Sequence, residues 1–151
     1  MGSILRAAGC YQAHSIRYTG ERYARAKAFS TDTKNTHLKI SVTQVPTVID
    51  PINDQHLTKV AIELVEGATP LPLFEHPKEA LYIFGPEDSS IEQDVIDQCD
   101  HVVYIPTVGC MNLAATVNVL LYDRLAKTAD MPSDDNLIKN SRDTNNRTKI
   151  D

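Results

Sequence analysis

Three short stretches of this sequence carry residues whose types and spacing suit chemistry at a ligand. The first is Phe84-Gly85-Pro86-Glu87, where an apolar run gives way to a glycine, a proline and carboxylates. A turn of this kind, between a buried strand and a helix, is where open α/β sheets bind small molecules. It lacks the spaced glycines of a dinucleotide fingerprint and the lysine of a phosphate loop. Glu87 and Asp88 at a helix start would repel a phosphate and tolerate a cationic ligand, and the plain alternative is a turn with a capping carboxylate. The second stretch is Ile105-Pro106-Thr107-Val108-Gly109-Cys110-Met111-Asn112, a strand end, a tight turn and a polar residue that opens a helix. Asn112 suits a helix cap, a role sufficient in itself. Cys110 reads as a small buried residue rather than a reactive thiol, because no base stands near it in sequence. The third stretch is Gly2-Ser3-Ile4-Leu5-Arg6-Ala7-Ala8, in which Arg6 lies among apolar residues of a short helix. Its guanidinium either reaches back to solvent or meets an anion. The five histidines are scattered, and none is assigned to a site.

These stretches need elements to position them. Short apolar runs alternate with amphipathic stretches, which predicts a mainly parallel α/β sheet with helices on both faces. Residues 60–65, 80–84 and 101–105 form runs of the kind seen in strands covered on both sides. Between the last two, Ser89 and Glu92 stand at the spacing of a capping box, followed by Ile91, Val95 and Ile96 on one side of a helix reaching about Cys99. From Asn112 to about Ala126, Leu113, Val117, Leu120, Leu121 and Leu125 recur at steps of three and four, which predicts a helix. Residues 2–8 also read as helix, whereas an α/β domain usually opens with a strand, which suggests a piece missing upstream of Met1. Residues 1–127 are expected to form the domain. Residues 128–151 have almost nothing to bury and are expected to be a disordered polar tail.

Composition bounds the function. A chain of 151 residues, 42% hydrophobic, suits one compact domain. Its three cysteines, Cys10, Cys99 and Cys110, include no CxxC and stand with no paired histidines, which argues against a disulfide framework or a zinc site and for a reducing cytoplasm. No metal is expected. No apolar run approaches the roughly 20 residues of a membrane span. The net charge of -5 argues against a protein that grips nucleic acid by bulk electrostatics. Residues 17–39 nevertheless gather Arg17, Arg22, Arg25, Lys27, Lys34 and Lys39 against Glu21 and Asp32, which reads either as a local basic surface or as a solvated mixed-charge face.

Together, the three stretches resemble the three motifs of the SpoU/TrmH RNA 2'-O-methyltransferases of the SPOUT superfamily. The first motif there runs Asn-x-Gly-x-Ile-x-Arg, matched by Gly2, Ile4 and Arg6. The second is Phe-Gly-Pro-Glu, matched by Phe84 to Glu87. The third is Ile-Pro followed by a short polar-apolar run, matched by Ile105, Pro106, Met111, Asn112 and Leu113. The order is the family's, and the similarity spans about residues 1–125. The resemblance implies an α/β domain with a C-terminal trefoil knot, an exception to the rule against knots. It implies S-adenosyl-L-methionine as methyl donor, held by loops containing Leu64, Gly67, Gly85, Ile105, Cys110 and Leu113. It implies a homodimer, with Arg6, Asn112 and Glu87 in catalytic roles. Arg6 would hold phosphate and stabilise a developing alkoxide, while Glu87 and Asn112 orient Arg6 and the ribose.

The RNA implied is transfer RNA first and ribosomal RNA second. Arg17, Arg22, Arg25 and Lys27, interleaved with Tyr18 and Tyr23, are its expected surface. Three positions depart from the pattern. The motif-one Asn would fall just before Met1, Ser90 stands where a Gly is usual, and Cys110 replaces a Ser or Thr. A catalytically impaired relative that acts as a dimeric RNA-binding protein is the main alternative. An unrelated α/β nucleotide-binding domain is the second.

Overall fold

The computed structural model describes residues 2–21, 40–128 and 134–150. The chain opens with helix α1 (Gly2–Cys10), whose Leu5, Ala7 and Ala8 are buried. It stops where Gln12 takes a positive φ of 56° and the Ala13 N–H donates back to the Ala8 carbonyl, closing the last turn. Strands β1 (Ser15–Tyr18) and β2 (Ser41–Gln44) pair in parallel as a small sheet of their own, with Ser15 opposite Ser41.

The main sheet contains β3 (Thr58–Ile62), β4 (Thr69–Pro70), β5 (Ala80–Phe84) and β6 (His101–Tyr104), in the order β4-β6-β3-β5. Every pairing is parallel. The expected parallel α/β class is therefore the observed one, and the trefoil threading itself is not visible in the described residues. Strand β6 lies between β3 and β4, which are consecutive in the chain, so residues 63–68 pass across its end. Val60, Ala61 and Ile62 are buried in succession. Neighbouring side chains on a strand point to opposite faces, so β3 is covered on both.

Helix α2 (Gln93–Ile96) is short, and helix α3 (Leu113–Thr128) is the long one. Leu120, fully buried, joins α3 to a core of Val60, Ile62, Leu71, Phe74 and Val103. Each such side chain contributes about 1.5–3 kcal/mol. Helix α1 packs against α3, and its small Ala7 and Ala8 allow a close approach.

Two expectations are corrected. The run at 60–65 leaves the sheet after Ile62, and Leu64 and Val65 are exposed, because the chain turns there to cross β6. The capping box at Ser89 and Glu92 does not form. Glu92 is the extended cap of a helix that starts only at Gln93, and its side chain makes no capping bond. Beyond α3, Asp135–Ser141 form helix α4, where Asp134 accepts from the Asn136 N–H at 2.8 Å. No residue of α4 is buried. No described helix is long and apolar enough to cross a membrane.

Candidate functional site

Parallel pairing sends the loops after β3, β5 and β6 to one carboxyl edge of the sheet. The Gly85 turn and the 105–112 turn flank the end of β3 there, about 10 Å apart at two strand spacings. Glu63, the first residue after β3, links them. Its N–H donates to the Val103 carbonyl of β6 at 3.0 Å. Its Oε1 accepts from the Leu64 N–H at 2.9 Å, and its Oε2 accepts from the Ile91 N–H, beyond the Gly85 turn, at 3.0 Å. A Cβ at Gly85 would lie 3.2 Å from Glu63 Oε2 and 3.3 Å from the Ile91 N. A side chain there would crowd the carboxylate and the returning backbone, which glycine avoids.

The expected donor-site residues Leu64, Gly67, Gly85, Ile105, Cys110 and Leu113 belong to these loops or to the first turn of α3. Gly67 and Gly109 take φ of 86° and 91°, a region that side-chain-bearing residues rarely adopt. A Cβ on either would meet nothing within 4 Å, so open space adjoins both turns. Leu64 and Val108 are apolar and exposed beside them, and Ile105 and Leu113 are half-buried. Cys110 is exposed, which corrects the buried reading: the tight turn at Gly109 carries it out of the core.

Of the expected catalytic residues, Glu87 is exposed on the Gly85 loop. Arg6 lies on the exposed side of α1, the helix packed on α3. Asn112 caps α3: its Oδ1 accepts from the Ala115 N–H at 2.9 Å, and its carbonyl accepts from the Thr116 N–H. The cap fixes the amide and turns its Nδ2 into the group available to a ligand. Asn112→Ala should lower stability by about 1 kcal/mol. Asn112→Asp, which keeps an accepting oxygen, should melt within a degree or two of wild type, as checked by circular dichroism.

Arg17, expected on an RNA surface, also has a structural task. Its NH1 lies 2.6 Å from Oδ2 of Asp54, a carboxylate with no exposed surface. Arg22, Arg25 and Lys27 lie outside the described residues. Two further groups escaped the sequence reading. One is Asp54. The other is His76, buried between Tyr82 and Asp123. The Tyr82 hydroxyl donates to its Nδ1 at 2.7 Å, and its Nε2 donates to the Asp123 carboxylate at 2.8 Å. Burial pushes His76 below the ordinary histidine range against the opposing pull of Asp123. Arg124 donates to Tyr82, and Lys127 donates to the carbonyls of Leu71 and Phe74, so the far half of α3 is tied to the chain before β5. Among the described residues, no group of three or more His, Cys, Asp or Glu is arranged to hold a metal.

Residues 1–122 match the SpoU rRNA Methylase family. The chain belongs to this family. Solved structures with the same fold include an AdoMet-bound rRNA methyltransferase from Sinorhizobium meliloti, at 20% identity and a TM-score of 0.69, covering 85% of this chain and 51% of that one. The SpoU methyltransferase AviRb from Streptomyces viridochromogenes, in complex with AdoMet, matches at 21% and 0.69, covering 83% and 51%. The TrmH/SpoU tRNA modifying enzyme of A. aeolicus matches at 15% and 0.69, covering 83% and 67%. The chain thus spans about half the length of the first two. No curated protein matches the sequence significantly. In this chain, the loops that carry the second and third motifs are those brought together at the carboxyl edge.

Proposed function

We propose that this SpoU-family chain is an S-adenosylmethionine-dependent RNA methyltransferase acting on a ribose 2'-OH. The observation that carries the reading is the convergence of two motif loops on one sheet edge, with the helix bearing the first motif packed on α3. The residues suit the donor. Gly67, Gly85 and Gly109 let backbone approach closely, the space beside Gly67 and Gly109 is open, and exposed Leu64 and Val108 offer apolar surface for an adenine.

When bound, the donor supplies a methyl group on a positively charged sulfur. The protein's task is then alignment and help for a poor nucleophile. Arg6 supplies a guanidinium cation. It holds a phosphate of the target nucleotide and stabilises negative charge developing on the 2'-oxygen. The Asn112 Nδ2 and Glu87 orient the ribose and Arg6. The RNA we favour is transfer RNA, with ribosomal RNA second. Arg22, Arg25 and Lys27, with the outer edge of Arg17, form the proposed contact surface, and an acidic chain needs such a local patch. We also propose a homodimer, which would cover Val119 and Tyr122, exposed on α3. A cytoplasmic setting suits three free thiols.

Isothermal titration with S-adenosylmethionine and S-adenosylhomocysteine, followed by transfer of a labelled methyl group to bulk tRNA and rRNA, tests the reading. Binding of both, with alkali-stable label at ribose in tRNA, is the expected result. Binding without transfer would instead identify an RNA-binding relative that has lost turnover, and affinity for ATP or NAD alone would overturn the donor assignment.

A further inference from the structure

We infer that Glu63 is a positioning residue that holds the Gly85 loop in its ligand-binding shape by fastening it to the end of the central strand. The inference rests on the donor-site reading above. Glu63 follows a strand covered on both faces and stands at the edge of an apolar run, where simple patterning would place another aliphatic residue. The structure gives the acid a reason. The N–H groups of Leu64 and Ile91 converge on one spot, and both are taken by this one side chain. A carboxylate presents two accepting oxygens in one plane and serves both donors.

The backbone of Glu63 is meanwhile held to β6 through Val103. One residue therefore joins the ends of β3 and β6 to the loop after β5. Gly85 completes the device, because a side chain there would press on Glu63 Oε2 and on Ile91. Glutamine is a poor replacement: its amide oxygen can serve one N–H, while its NH2 group faces the other donor. Alanine leaves both donors without this acceptor.

The full-length chain carries the test, with S-adenosylhomocysteine as the probe. Glu63→Gln and Glu63→Ala are expected to weaken its binding about tenfold, the scale of one hydrogen bond lost at a partly buried site. Amide exchange at Ile91 and Leu64 should accelerate by a similar factor. In methyl transfer the KM for the donor should rise, while kcat at saturating donor changes less than about twofold, as for a residue that acts on donor binding alone. Gly85→Ala should weaken binding comparably, and Gly85→Ala combined with Glu63→Ala should be far from additive, because both break the same contact. Additive losses would overturn the proposal. So would a wild-type chain that binds the probe while both Glu63 variants bind it equally well. A wild-type chain that ignores the probe overturns the donor-site reading and, with it, the pocket role of Glu63; accelerated Ile91 exchange in Glu63→Ala would then still report that the fastening is intact in the wild type.

Discussion

Arg17→Ala is expected to cost about 3 kcal/mol of folding stability at neutral pH, the lower end of the range for breaking a buried ion pair from one side. Asp54 has no exposed surface, and only 28% of the Arg17 side chain reaches solvent. Among the described residues, removing Arg17 leaves a carboxylate whose remaining partner is the Asp50 N–H, 2.7 Å from Oδ2, while Oδ1 has no hydrogen-bond partner. The loss reaches beyond β1, because the turn holding Asp54 leads into β3 through the Leu57 N–H, which donates to the Asp54 carbonyl. The pH dependence identifies the cause. Burial pulls the Asp54 carboxyl upward, but the Arg17 guanidinium and the Asp50 N–H outweigh it and hold the group below the ordinary range. A carboxyl depressed in the folded state contributes stability above its unfolded value, about pH 3.9, and loses it as pH falls through the folded value. In the variant, burial acts against the charged form with no cation to oppose it, so the folded carboxyl rises above 3.9 and protonation relieves the chain. The gap between wild type and Arg17→Ala in urea unfolding should therefore be widest near pH 7 and shrink toward pH 4. An equal gap at both, or one below about 0.5 kcal/mol at pH 7, would show that the pair contributes no more than an exposed one.

What the sequence disclosed, and what it hid, divides by distance along the chain. Strand β5 occupies the predicted residues, and α3 lies within two residues of its predicted ends, because a short apolar run and a 3.6-residue period are local signals. The motif turns were legible for the same reason, since each is contiguous. Long-range partners were not. Arg17 and Asp54 are 37 residues apart, His76 and Asp123 are 47 apart, and Glu63 reaches 28 residues to Ile91. Nothing in the neighbourhood of either partner marks these pairs. The failed capping box follows from the last of them. The bond from Ile91 to Glu63 draws residues 85–91 across the end of β3, so the helix cannot begin at Ser89 and starts only at Gln93, despite a local pattern that favours the earlier start. The strand at 60–65 ends early because Glu63 must sit at the turn.

Arg6→Ala is expected to lower kcat/KM for methyl transfer to RNA by roughly 10²–10³-fold, the scale seen when a preorganised donor to a developing oxyanion is lost. Donor binding should stay within about twofold of wild type, since the proposed donor loops belong to the carboxyl edge of the main sheet and Arg6 to α1. The fold should tolerate the change as well. Helix α1 is held through the buried Leu5, Ala7 and Ala8, whereas Arg6 lies on its exposed side, so the packing of the helix survives the change. Arg6→Lys separates charge from shape. If positive charge alone were enough, lysine would restore nearly all the rate. A guanidinium that grips phosphate with two N–H groups while facing the ribose oxygen uses a planar fork that an ammonium lacks, so lysine should recover only about tenfold. Single-turnover rates at saturating donor, beside melting curves of the same samples, read both effects. An undiminished rate in Arg6→Ala would remove Arg6 from the reaction. A collapsed melting curve would mean instead that α1 depends on its arginine for packing, and the loss of rate would then carry no information about the transition state.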